Sequence, residues 1–379
     1  LYTRRIPYSC LLQLDRLPPN PIPAQGKYPS TDTGKRTEIG RKTEMIASVI
    51  GGGSWGSAFA LHLGRLNIPT NLWIREKEVL QELIKYKENK TFLPGIIFPG
   101  KVNFYNDLED SVRNTDIVFM AVPSKFCRDI YNRLAPVLSS EQIIVSLTKG
   151  IEDSSLKRMS EIMEEVFLPY FSPKIVALSG PSFAREVAES HPTAVVVASK
   201  NIRLAKEIQH SISNSYFRTY ISNDIIGIEI AGALKNVMAI AAGILDGLEF
   251  GSNSIAALIT RGIAELTRLG LKLGAKKETF SGLAGIGDLV LTCTGKLSRN
   301  RFVGYELGTG KKIDAILKSM KEVAEGVTTT ISSKKIAARE KIEMPICEQV
   351  YQVLYQDKDP RSALQDLMSR KLKSEMGEL

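Results

Sequence analysis

The chain has few of the residues that build metal centres and disulfide frameworks. Its 379 residues include four cysteines without a C-x-x-C pair and three histidines that lie far apart in the sequence. Such a pattern offers no local set of metal ligands, so we expect no bound metal. Scattered cysteines are also typical of a reducing compartment, and they favour a cytoplasmic protein.

A long uninterrupted apolar run is missing as well. The most apolar stretch, residues 225–245, contains Glu229, Lys235 and Asn236. Because charged groups near the middle of a segment make membrane insertion costly, we predict that this stretch is a buried helix of a soluble protein.

The excess of positive charge is small once it is divided along the chain. The formal net charge is +9, but residues 1–44 carry eight basic and four acidic residues, which leaves 42 basic and 37 acidic residues beyond them. No stripe of basic residues interleaved with aromatic ones is evident in the sequence. The surplus therefore suits small anionic ligands, and nucleic acid is not an expected partner.

Residues 1–44 differ in composition from the rest of the chain. They hold six of the 17 prolines, show no apolar periodicity and precede the first methionine, Met45. Two interpretations compete. One is a basic organelle transit segment, although the four acidic residues and the small number of serines argue against it. The other is an upstream extension outside the folded protein. Under either one we expect a disordered extension and exclude it from the fold.

A glycine motif directly follows the apolar run at 45–50. Gly51, Gly53 and Gly56 form G-x-G-x-x-G, and a helix-like apolar run follows at 58–63. In a dinucleotide-binding fold the first glycine permits a tight turn, the second lets the backbone approach a pyrophosphate, and the third lets helix and strand pack closely. The pyrophosphate then lies at a helix N-terminus, which favours an anion. The alternative is a glycine turn between two core elements.

Short apolar runs alternate with amphipathic segments over residues 45–232, which predicts a Rossmann-type parallel sheet. The expected strands are 45–50, 69–73, 117–121, 143–146, 175–179 and 194–198, with helices at 76–86 and 124–138. From 233 to 379 helix-period segments dominate, and we expect glycine-rich loops at 281–288 and 292–296. The predicted fold class is α/β plus all-α, a doubly wound sheet followed by a C-terminal helical substrate-binding domain.

Two basic residues are candidates for cofactor selection and proton transfer. Arg75 follows the second strand, where it could pair with the 2′-phosphate of NADP, while the adjacent Glu76 keeps NAD open. The alternative for Arg75 is an ordinary charge at a helix start. Lys235 lies in the apolar helix, where burial lowers the pKa of an amine and suits it to proton transfer. Its alternative is a surface lysine whose ammonium reaches solvent.

Polar residues in the second half of the chain could bind a phosphorylated substrate. Asp288 ends a glycine-rich segment and could orient a lysine ammonium, or it could cap a turn. Ser298 is a good N-cap, which places Arg299 and Asn300 in the first helical turn. An arginine beside the positive end of a helix suits a phosphate, although a solvated basic helix start has the same sequence.

Seven short segments, from residue 45 to about 375, together resemble the bacterial-type NAD(P)-dependent glycerol-3-phosphate dehydrogenases. They are GGGSWG at 51–56, SLTKGI at 146–151, LSGPSFA at 178–184, ALKNV at 233–237, GIGD at 285–288, SRN at 298–300 and VAEG at 323–326. Each is moderately specific, and the seven in this order are highly specific.

The motif and the resemblance imply roles for individual residues. The implied cofactor contacts are Gly51, Gly53, Ser54, Trp55, Gly56, Arg75, Lys149, Ala184, Val323 and Glu325. The implied substrate contacts are Lys149, Gly180, Ser182, Lys235, Asp288, Ser298, Arg299 and Asn300. Among these residues Lys235 is implied as the proton donor or acceptor.

The resemblance implies an oxidoreductase that uses NAD or NADP to interconvert dihydroxyacetone phosphate and sn-glycerol 3-phosphate for glycerophospholipid synthesis. Two alternatives are a related dehydrogenase for another small anionic hydroxy acid or phosphate, and a non-catalytic nucleotide sensor that retains the Rossmann domain. The sequence does not fix NAD against NADP, or the oligomeric state, for which a homodimer is one arrangement.

Overall fold

The computed structural model describes residues 45–320, 322–372 and 374–375. Our expectation of a disordered extension at residues 1–44 lies outside this part of the chain. The described residues form a sheet flanked by helices and then a set of packed helices, so the predicted fold class is confirmed.

Eight strands form one sheet. They are β1 (Ala47–Ile50), β2 (Thr70–Trp73), β3 (Val102–Tyr105), β4 (Ile117–Met120), β5 (Ile143–Ser146), β6 (Lys174–Ser179), β7 (Thr193–Ala198) and β8 (Phe217–Ser222). Their order is β3-β2-β1-β4-β5-β6-β7-β8, and only β6 and β7 pair antiparallel. The strand order reverses between β1 and β4, and ligands of open α/β sheets bind at the carboxyl ends of such strands.

The six predicted strands are all present, and the sheet has two more strands, β3 and β8, which the sequence patterns do not predict. These two are the edges of the sheet. In β3 only the first of four residues is buried, and in β8 buried and exposed residues alternate at the start. Neither strand therefore carries the continuous apolar run that marks a strand buried on both faces.

Sixteen α-helices lie within the described residues. They are α1 (Ser54–Arg65), α2 (Lys77–Tyr86), α3 (Leu108–Val112), α4 (Ser124–Leu134), α5 (Met159–Phe167), α6 (Ala184–Ala188), α7 (Ile202–Ile212), α8 (Ile225–Gly247), α9 (Ser252–Lys272), α10 (Lys277–Phe280), α11 (Asp288–Thr294), α12 (Arg299–Gly308), α13 (Ile313–Ser319), α14 (Glu325–Glu340), α15 (Pro345–Tyr355) and α16 (Pro360–Met368). The predicted domain boundary at 232/233 falls inside α8 and stays a prediction.

The predicted glycine-rich loops at 281–288 and 292–296 were wrong in part. Residues Leu283–Gly287 form a π-helical turn that leads directly into α11, which continues to Thr294. A Cβ at Gly285 would lie 2.2 Å from the carbonyl oxygen of Phe280, so the bare glycine lets this turn pack against the preceding backbone. Tertiary packing thus overrides the low helix propensity of the glycines.

Helix α8 is the central helix of the second half of the chain. By length and composition it could cross a membrane, but 89% of its most apolar window is buried inside the protein, which is typical of a core helix. It crosses α12 at very short range. A Cβ at Gly304 would lie 1.9 Å from the carbonyl oxygen of Ile240, and one at Gly243 would lie 2.0 Å from that of Arg301. The two backbones therefore touch, which only glycine allows.

Candidate functional site

The turn between β1 and α1 has the geometry that a dinucleotide requires. Gly51 has φ +122°, and a Cβ at Gly56 would lie 1.9 Å from the carbonyl oxygen of Gly51, so packing within the protein explains both glycines. A side chain at Gly53, in contrast, would meet no atom within 4 Å. Packing does not explain this glycine, whereas the approach of a ligand to the backbone does.

Donors at the start of α1 are left without partners. No side chain caps the first turn of α1 at Gly53. The indole N–H of Trp55, in the same turn, is buried and has no hydrogen-bond partner among the described residues. An uncapped helix N-terminus beside a free buried donor fits the pyrophosphate of NAD or NADP.

The glycine turn opens into a cavity of about 700 Å³. The predicted site residues that line it are Gly51, Gly53, Ser54, Trp55, Arg75, Lys149, Ser182, Ala184, Lys235, Ser298, Arg299, Asn300, Val323 and Glu325. Gly56, Gly180 and Asp288 lie behind this lining. Gly56 packs beneath Gly51, and the other two bind Lys149. The fold thus gathers the implied residues from both halves of the chain around one space.

Two lysines share one buried carboxylate at the cavity wall. Asp288 lies with its Oδ1 2.7 Å from Nζ of Lys235 and its Oδ2 2.7 Å from Nζ of Lys149. Lys149 also donates to the carbonyl oxygen of Gly180 at 2.8 Å and lies 3.3 Å from Oγ of Ser182. The Asp288 side chain is 1% exposed, so neither oxygen points to solvent. The carboxylate therefore orients both ammonium groups.

Burial and charge set the protonation states of this cluster. Burial lowers the pKa of Lys235 from 10.5 to about 8, although the Asp288 carboxylate opposes the shift. Burial raises the pKa of Asp288, but the ammonium groups of Lys149 and Lys235 outweigh it, and the net pKa is lowered. Asp288 therefore stays ionised near neutral pH, while Lys235 can gain or lose a proton at low cost.

The structure decides between the alternatives for Lys235 and Asp288. Lys235 is 6% exposed and ion-paired, so it is not a surface lysine whose ammonium reaches solvent. The Asp288 carboxylate binds two lysines and does not cap a turn. Ser298 is the N-cap of α12, as predicted, and its side chain accepts a hydrogen bond from the backbone N–H of Arg301.

Two polar residues of the cavity wall were missed by the sequence analysis. Thr292 accepts a hydrogen bond from Nζ of Lys235 at 2.7 Å, because α11 places it one turn after Asp288. Asn236 accepts from Nδ2 of Asn300 at 2.9 Å. The signal for Asn236 was its position next to Lys235. Thr292 is absent from the predicted site because the sequence predicts a loop from residue 292 onward, whereas α11 continues to Thr294.

Arg75 lines the cavity beside Phe126. Its guanidinium forms a 2.5 Å ion pair with Glu76 and lies 5.4 Å from the centre of the Phe126 ring. The Arg75 side chain is 62% exposed, so it is free to turn toward a ligand. Phe126 itself lines the cavity and was not among the predicted residues.

Two glutamates, Glu322 before α14 and Glu325 at its start, line the cavity. The Glu325 carboxylate accepts from the backbone N–H of Ser124 at 2.9 Å and from its hydroxyl at 2.5 Å. Burial raises the pKa of Glu325, against these hydrogen bonds. Glu322, which the sequence analysis did not single out, accepts hydrogen bonds from Ser54 and Arg299. The predicted phosphate ligand Arg299 is thus paired with a carboxylate of the protein.

Comparison with known proteins identifies the family. Residues 46–205 match the N-terminal part of NAD-dependent glycerol-3-phosphate dehydrogenase, and residues 224–365 match its C-terminal part. The chain belongs to this family. A glycerol-3-phosphate dehydrogenase [NAD(P)+] of Syntrophobacter fumaroxidans is 51% identical over 328 residues, which are 86% of this chain and 96% of that protein. The corresponding enzyme of Koribacter versatilis is 49% identical over 85% of this chain and 96% of its own.

Solved structures of the glycerol-3-phosphate dehydrogenase family have the same fold. The crystal structure of the enzyme from Coxiella burnetii matches with a TM-score of 0.82 at 37% identity, over 86% of this chain and 99% of that one. These matches confirm the predicted family, the oxidoreductase class and the use of NAD or NADP. Among the residues that the structure describes, no group of three His, Cys, Asp or Glu side chains is arranged to hold a metal ion.

Proposed function

We propose that this chain interconverts dihydroxyacetone phosphate and sn-glycerol 3-phosphate at the cavity between the glycine turn and helices α8, α11 and α12. One observation carries the proposal. Lys149 and Lys235, which share the carboxylate of Asp288, line the same cavity as Arg299 and Asn300 at the start of α12. A group that transfers a proton and a group that binds phosphate therefore line one cavity.

The cofactor would lie along the glycine turn. Gly53 and the uncapped first turn of α1 would bind its pyrophosphate, and Arg75 would lie at its 2′ end. When bound, NAD(P)H supplies the hydride that reduces a ketone carbon. Ala184, Val323 and the implied cofactor contacts on the glycine turn line the space that the cofactor would fill.

Lys235 transfers the proton in the proposed reaction. During reduction its ammonium polarises the substrate carbonyl and then protonates the developing alkoxide, and during oxidation the neutral amine removes the hydroxyl proton. A pKa of about 8 makes both forms accessible near neutral pH. Asp288, which is ionised, fixes the direction of the ammonium, and Lys149 orients the carbonyl from the other side.

The start of α12 binds the substrate phosphate in the proposed complex. Arg299 is the first residue of this helix, and Ser298 caps it. Asn300 donates to Asn236 and accepts from the backbone N–H of Gly326, so its side chain is held in one orientation. The phosphate then lies at a positive helix end, at a fixed distance from Lys235.

A direct assay tests the activity and the role of Lys235 together. Purified protein with dihydroxyacetone phosphate should oxidise NADPH or NADH, and the fall in cofactor absorbance measures this reaction. If the absorbance stays constant with both cofactors, the proposed activity is refuted. Lys235→Ala should abolish turnover yet still bind the cofactor. Lys334→Ala is the matched control, since Lys334 pairs with Glu348 of α15 and does not line the cavity, so this variant should leave turnover unchanged. A near-normal kcat for Lys235→Ala would assign the proton to another group.

Arg75 is the proposed determinant of NADPH use. A charged hydrogen bond to a 2′-phosphate contributes about 1.5–3 kcal/mol, so Arg75→Asp should lower the preference for NADPH over NADH about tenfold or more. Initial rates with both cofactors measure the ratio. An unchanged ratio would leave Arg75 as a surface charge at the start of α2.

We also propose a cytoplasmic location, a supply of glycerol 3-phosphate for glycerophospholipid synthesis, and a homodimer. The family and the buried character of α8 support the first two. Sedimentation of the purified protein tests the third.

A further inference from the structure

One carboxylate of the cavity wall, Glu322, forms hydrogen bonds with the first residues of two helices. Its Oε1 accepts from the hydroxyl of Ser54, the first residue of α1, and its Oε2 accepts from Nη1 of Arg299, the first residue of α12. The Glu322 side chain is 20% exposed. The same carboxylate therefore touches the proposed pyrophosphate site and the proposed phosphate site.

Both contacts are sites for an anion. Helix N-termini stabilise negative charge, and α1 has no side-chain cap of its own. An arginine at such a position adds two forked donors that match a carboxylate or a phosphate equally well. Glu322 therefore has the chemistry of an internal substitute for a ligand phosphate.

The contact with Ser54 is easily exchanged. The Ser54 hydroxyl also lies 2.6 Å from the carbonyl oxygen of Phe92. A serine hydroxyl has one proton to donate, so Glu322 and the carbonyl of Phe92 compete for it. When Glu322 moves away, Ser54 keeps a hydrogen bond to Phe92, and only the ion pair with Arg299 is lost.

We propose that Glu322 occupies the two anion sites in the ligand-free protein and thereby couples the binding of cofactor and substrate. The inference rests on the proposed function, which assigns phosphate groups to both sites. A ligand phosphate at either site places negative charge beside the Glu322 carboxylate, and because like charges repel, it moves the side chain away and frees the other site as well. Each ligand therefore strengthens the binding of the other by the same factor.

The expected factor is modest. The Arg299–Glu322 ion pair is partly exposed, and the hydrogen bond of Ser54 to Glu322 can be replaced. We therefore expect that each ligand strengthens the binding of the other about three- to tenfold. Glu322→Gln removes the charge that pairs with Arg299 and keeps the size of the side chain. The variant should bind each ligand alone about three- to tenfold more tightly, with little coupling left.

The test uses two ligands that cannot react with each other. NADPH and sn-glycerol 3-phosphate are both in the reduced state, so the dissociation constant of NADPH can be measured by its fluorescence with and without saturating sn-glycerol 3-phosphate. The titrations are repeated with NADH. Glu306→Gln is the charge-matched control, because Glu306 lies on α12, the helix that Arg299 begins, but pairs with Lys311. This control should retain the affinities and the coupling of the unaltered protein.

The outcomes separate the two proposals. The inference is supported if Glu322→Gln binds each ligand by itself more tightly and loses the coupling, while Glu306→Gln does neither. Unchanged or weaker binding in that variant, or coupling that persists, overturns it while the proposed function stands. If the unaltered protein binds neither NADPH, NADH nor sn-glycerol 3-phosphate, the proposed function is wrong and the inference falls with it.

Discussion

Replacement of Asp288 by asparagine removes the one carboxylate that two buried ammonium groups share. Both of its oxygens lie 2.7 Å from a lysine Nζ, and its side chain is 1% exposed. Removing one partner of a buried ion pair costs about 3–5 kcal/mol when the other charge stays. Lys235 can avoid most of this cost, because its pKa is already about 8 and losing the proton at neutral pH requires little free energy. We therefore expect the free energy of unfolding to fall by about 3 kcal/mol or less.

The same change should move the pH dependence of activity. In the unaltered protein the reduction of dihydroxyacetone phosphate needs the Lys235 ammonium, so the rate should fall as the pH rises past about 8. The Asp288 carboxylate raises the pKa of Lys235 against burial, and its loss should shift this fall to lower pH by about one pH unit or more. Turnover below the fall should decrease about a hundredfold or more, since the proton donor is no longer oriented.

Initial rates of cofactor oxidation over the neutral and alkaline range measure this shift. Asp246→Asn is the control, because Asp246 lies in the last turn of α8 and pairs with Arg301, whereas the lysines of the cluster pair with Asp288. Its pH profile should match that of the unaltered protein. A fall at the same pH in Asp288→Asn would show that the titrating group is not Lys235, and the assignment of the proton donor would have to be abandoned.

Two further predictions concern the fold that carries the site. Gly304→Ala places a Cβ 1.9 Å from the carbonyl oxygen of Ile240 and should lower the free energy of unfolding by about 1–3 kcal/mol in urea titrations. Gly100→Ala, whose Cβ would have no atom within 4 Å, should change it little, and equal effects would contradict the close crossing of α8 and α12. Burial lowers the pKa of His62 from 6.5 to about 4, so its neutral form stabilises the fold above pH 6.5, and up to about 3 kcal/mol of this is lost as the pH falls toward 4. His62→Phe should remove that slope from urea titrations at a series of pH values, and His191→Gln, which changes an exposed histidine, should keep it.

Local sequence patterns correctly predicted the turns and helix caps that depend only on adjacent residues, and the strands that are fully buried. The glycine turn and the N-cap Ser298 depend on their own few residues, and both were found. Edge strand β3 was missed because its side chains are mostly unburied. The helical start of α11 was missed because it depends on the packing of Gly285 against Phe280, which no local propensity describes.

Contacts between distant parts of the chain were beyond reach for the same reason. Asp288 was predicted to orient a lysine, but nothing in the sequence indicated that it binds two lysines from different elements. The pairing of Arg299 with Glu322 joins side chains on two different elements, and no spacing rule predicts it. Sequence patterns thus located the chemistry, and tertiary packing decided which groups share a partner.

The crossing of α8 and α12 connects the fold to substrate selection. Lys235 is fixed on α8, and Arg299 and Asn300 are fixed at the start of α12. Because the two helices touch through backbone atoms at their glycines, the backbone distance between Lys235 and the start of α12 is fixed, and the side chains can adjust only within that spacing. A phosphate ester with a longer spacer between its hydroxyl and its phosphate can fit only if a helix moves. Discrimination by substrate length should therefore persist in variants of the cavity wall and weaken in Gly304→Ala.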